Sequence, residues 1–115
     1  DINGIFFYVD RKKDLIIKGG VNIAPSQIEE VLLSFSIIEE VAVIGKPDML
    51  LGETILCYIV PKNDNKIDIS TIKNSCKEKL GDFKTPSEFI ILDSLPKGPS
   101  GKVLKRELKK LILNS

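Results

Sequence analysis

The chain has 115 residues, enough for one compact domain with a hydrophobic core and too few for two. Hydrophobic residues make up 43% and charged residues 29%, as is usual in globular proteins. The net charge of +1 argues against a nucleic-acid partner, and no apolar run is long enough for a transmembrane segment. The sequence has no histidine, which removes Ser-His and Cys-His nucleophile pairs and most zinc sites.

The cysteines indicate the redox compartment of the protein, and the start of the chain indicates whether the sequence is a piece of a longer one. Cys57 and Cys76 lie far apart without metal-ligand spacing, so we expect two reduced core thiols in a cytoplasmic protein. The chain opens on Asp1 rather than Met and is already strand-like at Ile5. We therefore expect a piece of a longer protein.

The first elements in chain order form a predicted hairpin. Residues 4–10 (GIFFYVD) and 15–20 (LIIKGG) are typical of strands, and the charged turn DRKKD joins them. Gly19 and Gly20 end the second strand, because glycine readily adopts positive φ.

Residues 25–35 (PSQIEEVLLSF) predict the first helix. Pro25 is tolerated at a helix start, and Ser26 with Glu29 fits a capping box. The spacing predicts one apolar face, formed by Ile28, Val31, Leu32 and Phe35.

Two strands and a second helix follow. Residues 40–45 (EVAVIG) and 53–61 (ETILCYIVP) predict strands joined by the turn-rich loop KPDMLLG, and this short link favours antiparallel pairing. After the polar turn KNDNK, residues 68–81 predict a helix that Asp68 caps and Gly81 ends. Its apolar face is Ile69, Ile72, Cys76 and Leu80.

The last elements are a strand and a helix. Residues 87–92 (SEFIIL) predict the strand, and residues 104–113 predict a helix with one apolar side formed by Leu104, Leu108, Leu111 and Ile112. The order β-β-α-β-β-α-β-α predicts an α+β domain. We expect an N-terminal β-hairpin followed by a three-stranded, mainly antiparallel sheet packed with about three helices.

Three stretches contain more glycine and polar residues than folding requires. They are DRKKD, KGGVNIAP and PKGPSGK, the last of which presents Lys102 just before a helix. Each also has a plain structural interpretation: a solvated turn, a tight turn and a surface loop. The Gly-Gly segment lacks the Gly-Lys-Ser/Thr spacing of a phosphate-binding loop.

Together these stretches resemble one family. DRKKDLIIKGGVNIAPSQIEE is similar to the segment that opens the C-terminal domain of acyl-CoA synthetases, in the adenylate-forming superfamily, and LPKGPSGKVLKREL resembles the catalytic-lysine motif that closes it. GKPDMLLGE is similar to the family's stretch between two sheet strands. The resemblance covers essentially residues 1–112, and the fatty-acid–CoA ligases of long- or medium-chain type are the nearest kind.

The resemblance implies a two-step reaction. A carboxylate is activated with ATP to acyl-AMP and pyrophosphate, and the thiol of coenzyme A then attacks to give a thioester and AMP. Residues 1–115 would form the C-terminal lid domain, whose partner is an N-terminal domain, absent here, that binds ATP, Mg²⁺ and a carboxylic acid, which we expect to be a fatty acid. No metal site is expected in this chain, and the chain alone should be inactive.

Lys102 matches the family's adenylation lysine. Its cation would offset the repulsion between the attacking carboxylate and the α-phosphate of ATP. Lys13 stands at the family's hinge position, and Arg11 matches a nucleotide-binding arginine near the domain junction. Reversible acetylation of Lys102 is a further hypothesis that the family's exposed motif lysine motivates.

Gly19 and Gly20 match the family's face for thioester formation, where the pantetheine arm of coenzyme A passes close to the backbone. Lys18 and Asn22 flank this face as weaker candidates for binding coenzyme A. The segment DFKTP resembles one that meets the coenzyme A nucleotide in some members, and only its Lys84 is carried over.

Two alternatives remain open. The same domain could belong to a ligase that loads the phosphopantetheine of a carrier protein, or the chain could be a non-catalytic α+β binding module. The basic stretch KVLKRELKK is either a solvated amphipathic helix or a face attracted to phosphates or to an acidic domain surface.

Overall fold

The computed structural model describes residues 14–64 and 66–113. Within them the elements are β1 (Ile16–Lys18), β2 (Val21–Ile23), α1 (Pro25–Leu33), β3 (Ile38–Asp48), β4 (Gly52–Pro61), α2 (Ile69–Leu80), β5 (Glu88–Ile91) and α3 (Lys105–Leu113), with a 3₁₀ turn at Lys62–Asp64 after β4. The predicted α+β class, a mainly antiparallel sheet with three helices, is confirmed.

The described strands form one sheet around β4. β3 pairs antiparallel with β4 along its whole length, from Asp48 opposite Gly52 to Ile38 opposite Pro61. The other edge of β4 is shared, because β1 pairs with its first residue and β5 runs parallel to residues 56–59. β5 is parallel because α2 carries the chain back to the same end of the sheet.

Helices cover both faces of β4. Ile55, Cys57 and Ile59 point into the cluster that α1 and α2 cover. The alternate residues Leu56, Tyr58 and Val60 join Leu108 of α3 on the opposite face. An uninterrupted apolar run in the sequence of β4 is the expected signature of a strand that is buried on both sides.

The hairpin differs from the prediction. The first predicted strand, residues 4–10, lies outside the described residues. β1 instead pairs with β2 across Gly19 and Gly20, which have φ of 57° and 83°. The strand at β2 was missed because three residues directly after a glycine pair give too short a pattern to recognise.

The predicted capping box of α1 is wrong. Ala24 is the N-cap residue and makes no side-chain cap bond, and Pro25 takes the first helical position as predicted. Ser26 therefore lies inside the helix. The Glu29 carboxylate instead accepts hydrogen bonds from the backbone N–H of Val43, at 2.9 Å, and pairs with Lys105.

The predicted ends of α2 are confirmed. The Asp68 side chain accepts hydrogen bonds from Ser70 and Thr71, and Gly81 ends the helix with φ of 86°. The bonds from Thr71 hold the pKa of the Asp68 carboxyl below its ordinary value. As pH falls through that lowered pKa, the cap loses its contribution to stability.

Both cysteines are buried free thiols, Cys57 on β4 and Cys76 on α2. Burial is the main cause that raises the pKa of each thiol, so both stay protonated at neutral pH. None of the described helices has the length and apolar character that crossing a membrane requires.

The last helix corrects one predicted core position. Leu108 is fully buried, whereas Leu111 is 48% exposed. α3 therefore buries a narrower stripe than predicted, centred on Leu108 with Ile112 beside it, and Val103 packs on the same cluster just before the helix.

We expect Leu108→Ala to lower the free energy of unfolding by about 2–5 kcal/mol, because it leaves a cavity between α3 and the sheet. Leu111→Ala is the matched control and should change stability by about 0.5 kcal/mol or less. Urea unfolding of the 115-residue chain measures both. Equal losses in the two variants would contradict the packing of α3.

Candidate functional site

Lys102 lies at the base of a short hairpin formed by residues 96–104, here called the lysine hairpin. The backbone N–H of Leu104 donates to the carbonyl of Pro96 at 2.8 Å. One step further toward the tip, the N–H of Gly98 donates to the carbonyl of Lys102 at 2.9 Å. These two bonds hold the backbone on both sides of Lys102.

The sequence of the lysine hairpin fits this geometry. Gly101 has φ of 85°, a conformation that L side chains rarely adopt. A Cβ on Gly98 would lie 3.4 Å from the Leu104 side chain, an ordinary contact, so the fit to glycine is specific at Gly101. Pro99 at the tip has no N–H to donate, and the tip requires none from it.

The two lysines that flank Lys102 are paired with carboxylates. Lys97 contacts Glu40 at 2.6 Å, and Lys105 contacts Glu29 at 3.0 Å. The side chain of Lys102 is exposed and has no ion-pair partner within the described residues. The hairpin therefore presents one cation while the neighbouring two are held.

A surface cleft of about 390 Å³ adjoins Lys102 and is strongly basic. Asp14, which directly follows the hinge candidate Lys13, lies on the same cleft as Lys102. The described lining residues are Asp14, Lys102, Val103, Leu104, Lys105, Arg106 and Lys109. Such a cleft can attract an anion, because its lining contains four cations and one carboxylate, although Lys105 and Arg106 also pair with Glu29 and Glu107 beyond the lining.

Lys13 itself and the nucleotide-binding candidate Arg11 lie outside the described residues. Their assigned roles stay predictions.

The Gly-Gly pair forms the turn between β1 and β2. The N–H of Gly19 donates to the carbonyl of Leu51 at 2.8 Å, which holds the turn against the start of β4. A Cβ on Gly20 would meet no atom within 4 Å, so this backbone faces open space. The turn thus offers bare backbone that a ligand can approach.

Lys18 joins this turn to the segment 82–86. Its ammonium group donates to the carbonyl of Phe83 at 2.7 Å and lies 4.6 Å from the centroid of the Phe83 ring. The hydrogen bond and the cation–π contact together fix the direction of the Lys18 stem. Next to Lys18 in β1, the backbone N–H of Ile17 donates to the Glu53 carboxylate at 2.8 Å.

The structure brings together the two segments that the resemblance assigns to coenzyme A. Lys18, Gly19 and Phe83 form one surface, here called the glycine-turn surface. Lys84 follows Phe83 and donates to the Gln27 side chain at 3.1 Å, and Asn22 lies exposed on β2. The assigned roles of these residues stay predictions.

The turn between β3 and β4 lies beside the glycine-turn surface. The predicted loop 46–52 is shorter than expected, because β3 continues to Asp48. The Asp48 carboxylate accepts the N–H groups of Leu50 and Leu51 at 3.1 and 2.8 Å, which fixes the turn. Met49 and Leu50 are consequently held fully exposed.

Sequence reasoning missed three residues that shape these sites. Phe83 stands alone in a polar segment and gives no clear signal, because single exposed aromatic residues are common; its contact with Lys18 is visible only in the structure. Glu29 and Glu40 give no clear signal either, because their partners Lys105 and Lys97 are distant in sequence.

No group of three or more acidic or cysteine side chains within the described ranges is arranged to hold a metal ion.

Comparison with known proteins gives the family. Residues 27–102 match the family described as AMP-binding enzyme C-terminal domain. The chain belongs to this family, as the resemblance predicted.

The relatives and the solved structure described next are all CoA ligases or CoA synthetases, in agreement with the family match. The chain is 43% identical over 108 residues to a sulfoacetate–CoA ligase of Cupriavidus necator, covering 94% of this chain and 21% of that protein. It is 39% identical to a long-chain-fatty-acid–CoA ligase of Bacillus subtilis, covering 94% of this chain and 19% of that protein. The o-succinylbenzoate CoA synthetase of Bacillus subtilis, solved with its acyl-adenylate intermediate, superposes with a TM-score of 0.81 at 39% identity, covering 87% of this chain and 20% of that one. The chain thus spans about a fifth of the proteins it matches.

We expect Gly20→Ala to lower the free energy of unfolding by about 1 kcal/mol, since its space is open but its φ of 83° strains an L residue. Asn22→Ala, exposed in the same hairpin, should change stability by about 0.5 kcal/mol or less. Urea unfolding compares the two. A fully stable Gly20→Ala variant would show that the turn can relax to another conformation.

Proposed function

We propose that residues 1–115 are the C-terminal lid domain of an ATP-dependent acid–thiol ligase that forms acyl-AMP and then acyl-CoA. Family membership, together with one exposed lysine on a basic cleft, carries the proposal. ATP, Mg²⁺ and the acid would bind mainly to an N-terminal domain of the same protein. Its relatives have the length for such a domain, since the chain matches only about a fifth of them.

Lys102 is the adenylation residue under this proposal. A carboxylate oxygen attacks the α-phosphorus of ATP, and the bond to the pyrophosphate leaving group breaks. Two anionic groups must approach each other, and the Lys102 ammonium group stabilises the charge between them. Lysine suits this task because its compact charge sits on a long stem, and the hydrogen-bonded hairpin supports the base of that stem.

Lys13 and Arg11 take the hinge and nucleotide-binding roles in this proposal. A rotation near Lys13 would withdraw Lys102 after adenylation and bring in the second surface. The position of Asp14 on the same cleft as Lys102 supports a junction near this part of the domain.

The glycine-turn surface would serve thioester formation. Bare backbone at Gly20 leaves room for the pantetheine arm of coenzyme A, whose sulfur attacks the acyl carbonyl while AMP leaves. Lys18, Lys84 and Asn22 surround this surface as candidates for polar contacts, and Gly19 anchors it to β4.

We further propose that the acid substrate is a fatty acid and that the full-length enzyme is cytoplasmic. The long-chain-fatty-acid–CoA ligase of Bacillus subtilis supports the acid class, and the two free buried thiols fit a reducing compartment. Other relatives are a sulfoacetate–CoA ligase and a 2-succinylbenzoate–CoA ligase, so the acid is tested with a panel that spans all three classes.

We expect Lys102→Ala in the full-length ligase to slow adenylation by about 10² or more, because a positioned charge is lost from the transition state. Acid-dependent exchange of pyrophosphate into ATP measures this step. Thioester formation from supplied acyl-adenylate should be largely retained.

Lys110→Ala is the matched control, since Lys110 is exposed on α3, pairs with Glu107 and does not line the cleft. It should retain both half-reactions. Equal loss of the two half-reactions in Lys102→Ala, or no loss in either, would contradict the adenylation role.

The acceptor thiol is tested separately. We expect the full-length ligase to transfer its acyl group to coenzyme A at least about tenfold faster than to a carrier-protein phosphopantetheine, a preference of about 1.4 kcal/mol. Product analysis with both acceptors at equal concentration measures the ratio. Preference for the carrier protein would support the alternative ligase class.

A further inference from the structure

The lysine hairpin is held on both flanks by carboxylates from elsewhere in the fold. Lys97, on its first arm, pairs with Glu40 of β3 at 2.6 Å. Lys105, directly after its second arm, pairs with Glu29 of α1 at 3.0 Å. Lys102 lies between these two attachments.

The Glu29 attachment is the more enclosed of the two. The same oxygen of Glu29 accepts the Lys105 ammonium group and the backbone N–H of Val43 at 2.9 Å. The side chains of Glu29 and Lys105 are only 20% and 19% exposed, so water screens their pairing less than on an open surface. β3 is the outer strand of the described sheet, so the N–H of Val43 has no neighbouring strand to bind, and the Glu29 carboxylate accepts it instead.

Glu29 adds a second carboxylate at the start of α3, whose first turn already contains Glu107. Lys105 and Arg106 occupy the first turn, where the helix dipole disfavours cations. A carboxylate from Glu29 at this end offsets both the dipole and the charge of Lys105. The helix that follows the lysine hairpin can therefore begin at a fixed place on the sheet.

We propose that Glu29 and Glu40 are positioning residues for Lys102. Glu40 fastens one flank of the lysine hairpin to β3, and Glu29 fastens the other flank to α1 while it also binds the N–H of Val43 in β3, so that Lys102 is presented in one orientation. They also neutralise Lys97 and Lys105, which leaves Lys102 as the hairpin's cation for the reacting anions. The proposal rests on the adenylation role given to Lys102 above and therefore concerns the first half-reaction. Positioning matters there because a catalytic group displaced by about 1 Å loses much of its effect.

The test uses Glu29→Gln and Glu40→Gln in the full-length ligase. Glutamine keeps an oxygen that can accept the N–H of Val43, so Glu29→Gln removes the charge with little other change. We expect the kcat of pyrophosphate exchange to fall by about two- to fivefold for Glu40→Gln and by about tenfold for Glu29→Gln. Thioester formation from supplied acyl-adenylate should be unchanged, a split that general loss of folding would not give.

Glu88→Gln is the matched control. It removes the Lys46–Glu88 pair, which has the same 2.6 Å separation on the same sheet but does not touch the lysine hairpin. Pyrophosphate exchange should not change in this variant. In the double variant Glu40→Lys with Lys97→Glu, the restored pair should return the rate lost in Glu40→Lys alone.

Hydrogen–deuterium exchange of the peptide 96–104 in the same proteins separates the two proposals. Faster exchange in Glu29→Gln and Glu40→Gln, but not in Glu88→Gln, is expected because the hairpin bonds open more often. The positioning role would be overturned if hydrogen–deuterium exchange were unchanged in Glu29→Gln and Glu40→Gln. It would also be overturned if these two variants adenylated at the wild-type rate while Lys102→Ala adenylated slowly. If Lys102→Ala adenylates as wild type does, the proposed function fails and the catalytic part of this inference is overturned with it, while the exchange data still decide the attachment.

Discussion

Burial of β4 on both faces is the constraint on which the rest of the structure depends. Its backbone has no access to water along its middle, so each N–H and carbonyl group must find a partner in the sheet. β3 supplies partners along one edge, and β1 and β5 divide the other edge between them. Two helices on one face and α3 on the other are then required to cover its alternating side chains.

Both candidate surfaces take their positions from this strand. The glycine-turn surface is tied to its beginning, because Lys18 pairs with Gly52 and the N–H of Gly19 bonds to the carbonyl of Leu51. The lysine hairpin is tied to its other face through α3, where Leu108 packs and its carbonyl accepts the hydroxyl of Tyr58 at 3.4 Å. The central strand therefore fixes the positions of the two surfaces relative to each other, as the proposed rotation of the domain would require.

Features that depend on residues close together in the chain could be predicted from the sequence. Features that depend on contacts between residues far apart in the chain could not. The Asp68 cap follows from bonds within a few residues and the turn at Gly19 from the freedom of glycine to adopt positive φ, and both were predicted correctly. Glu29 was assigned to a local capping box, yet its partners Val43 and Lys105 are far away in the chain. Leu111 satisfied the helical period and is exposed nonetheless, because the width of the stripe that α3 buries depends on the sheet beneath it.

Under the proposed function, a domain that delivers one lysine to a neighbouring active site faces a conflict between reach and precision. The long stem of Lys102 gives reach, and each of its torsions adds freedom that must be lost when the cation is in place. The protein limits this cost by fixing the backbone from which the stem starts, with cross-hairpin hydrogen bonds and two ion pairs. Because ion pairs at a protein surface add little to overall stability, the value of Glu29 and Glu40 is better explained by where they hold Lys102 than by how firmly they hold the fold.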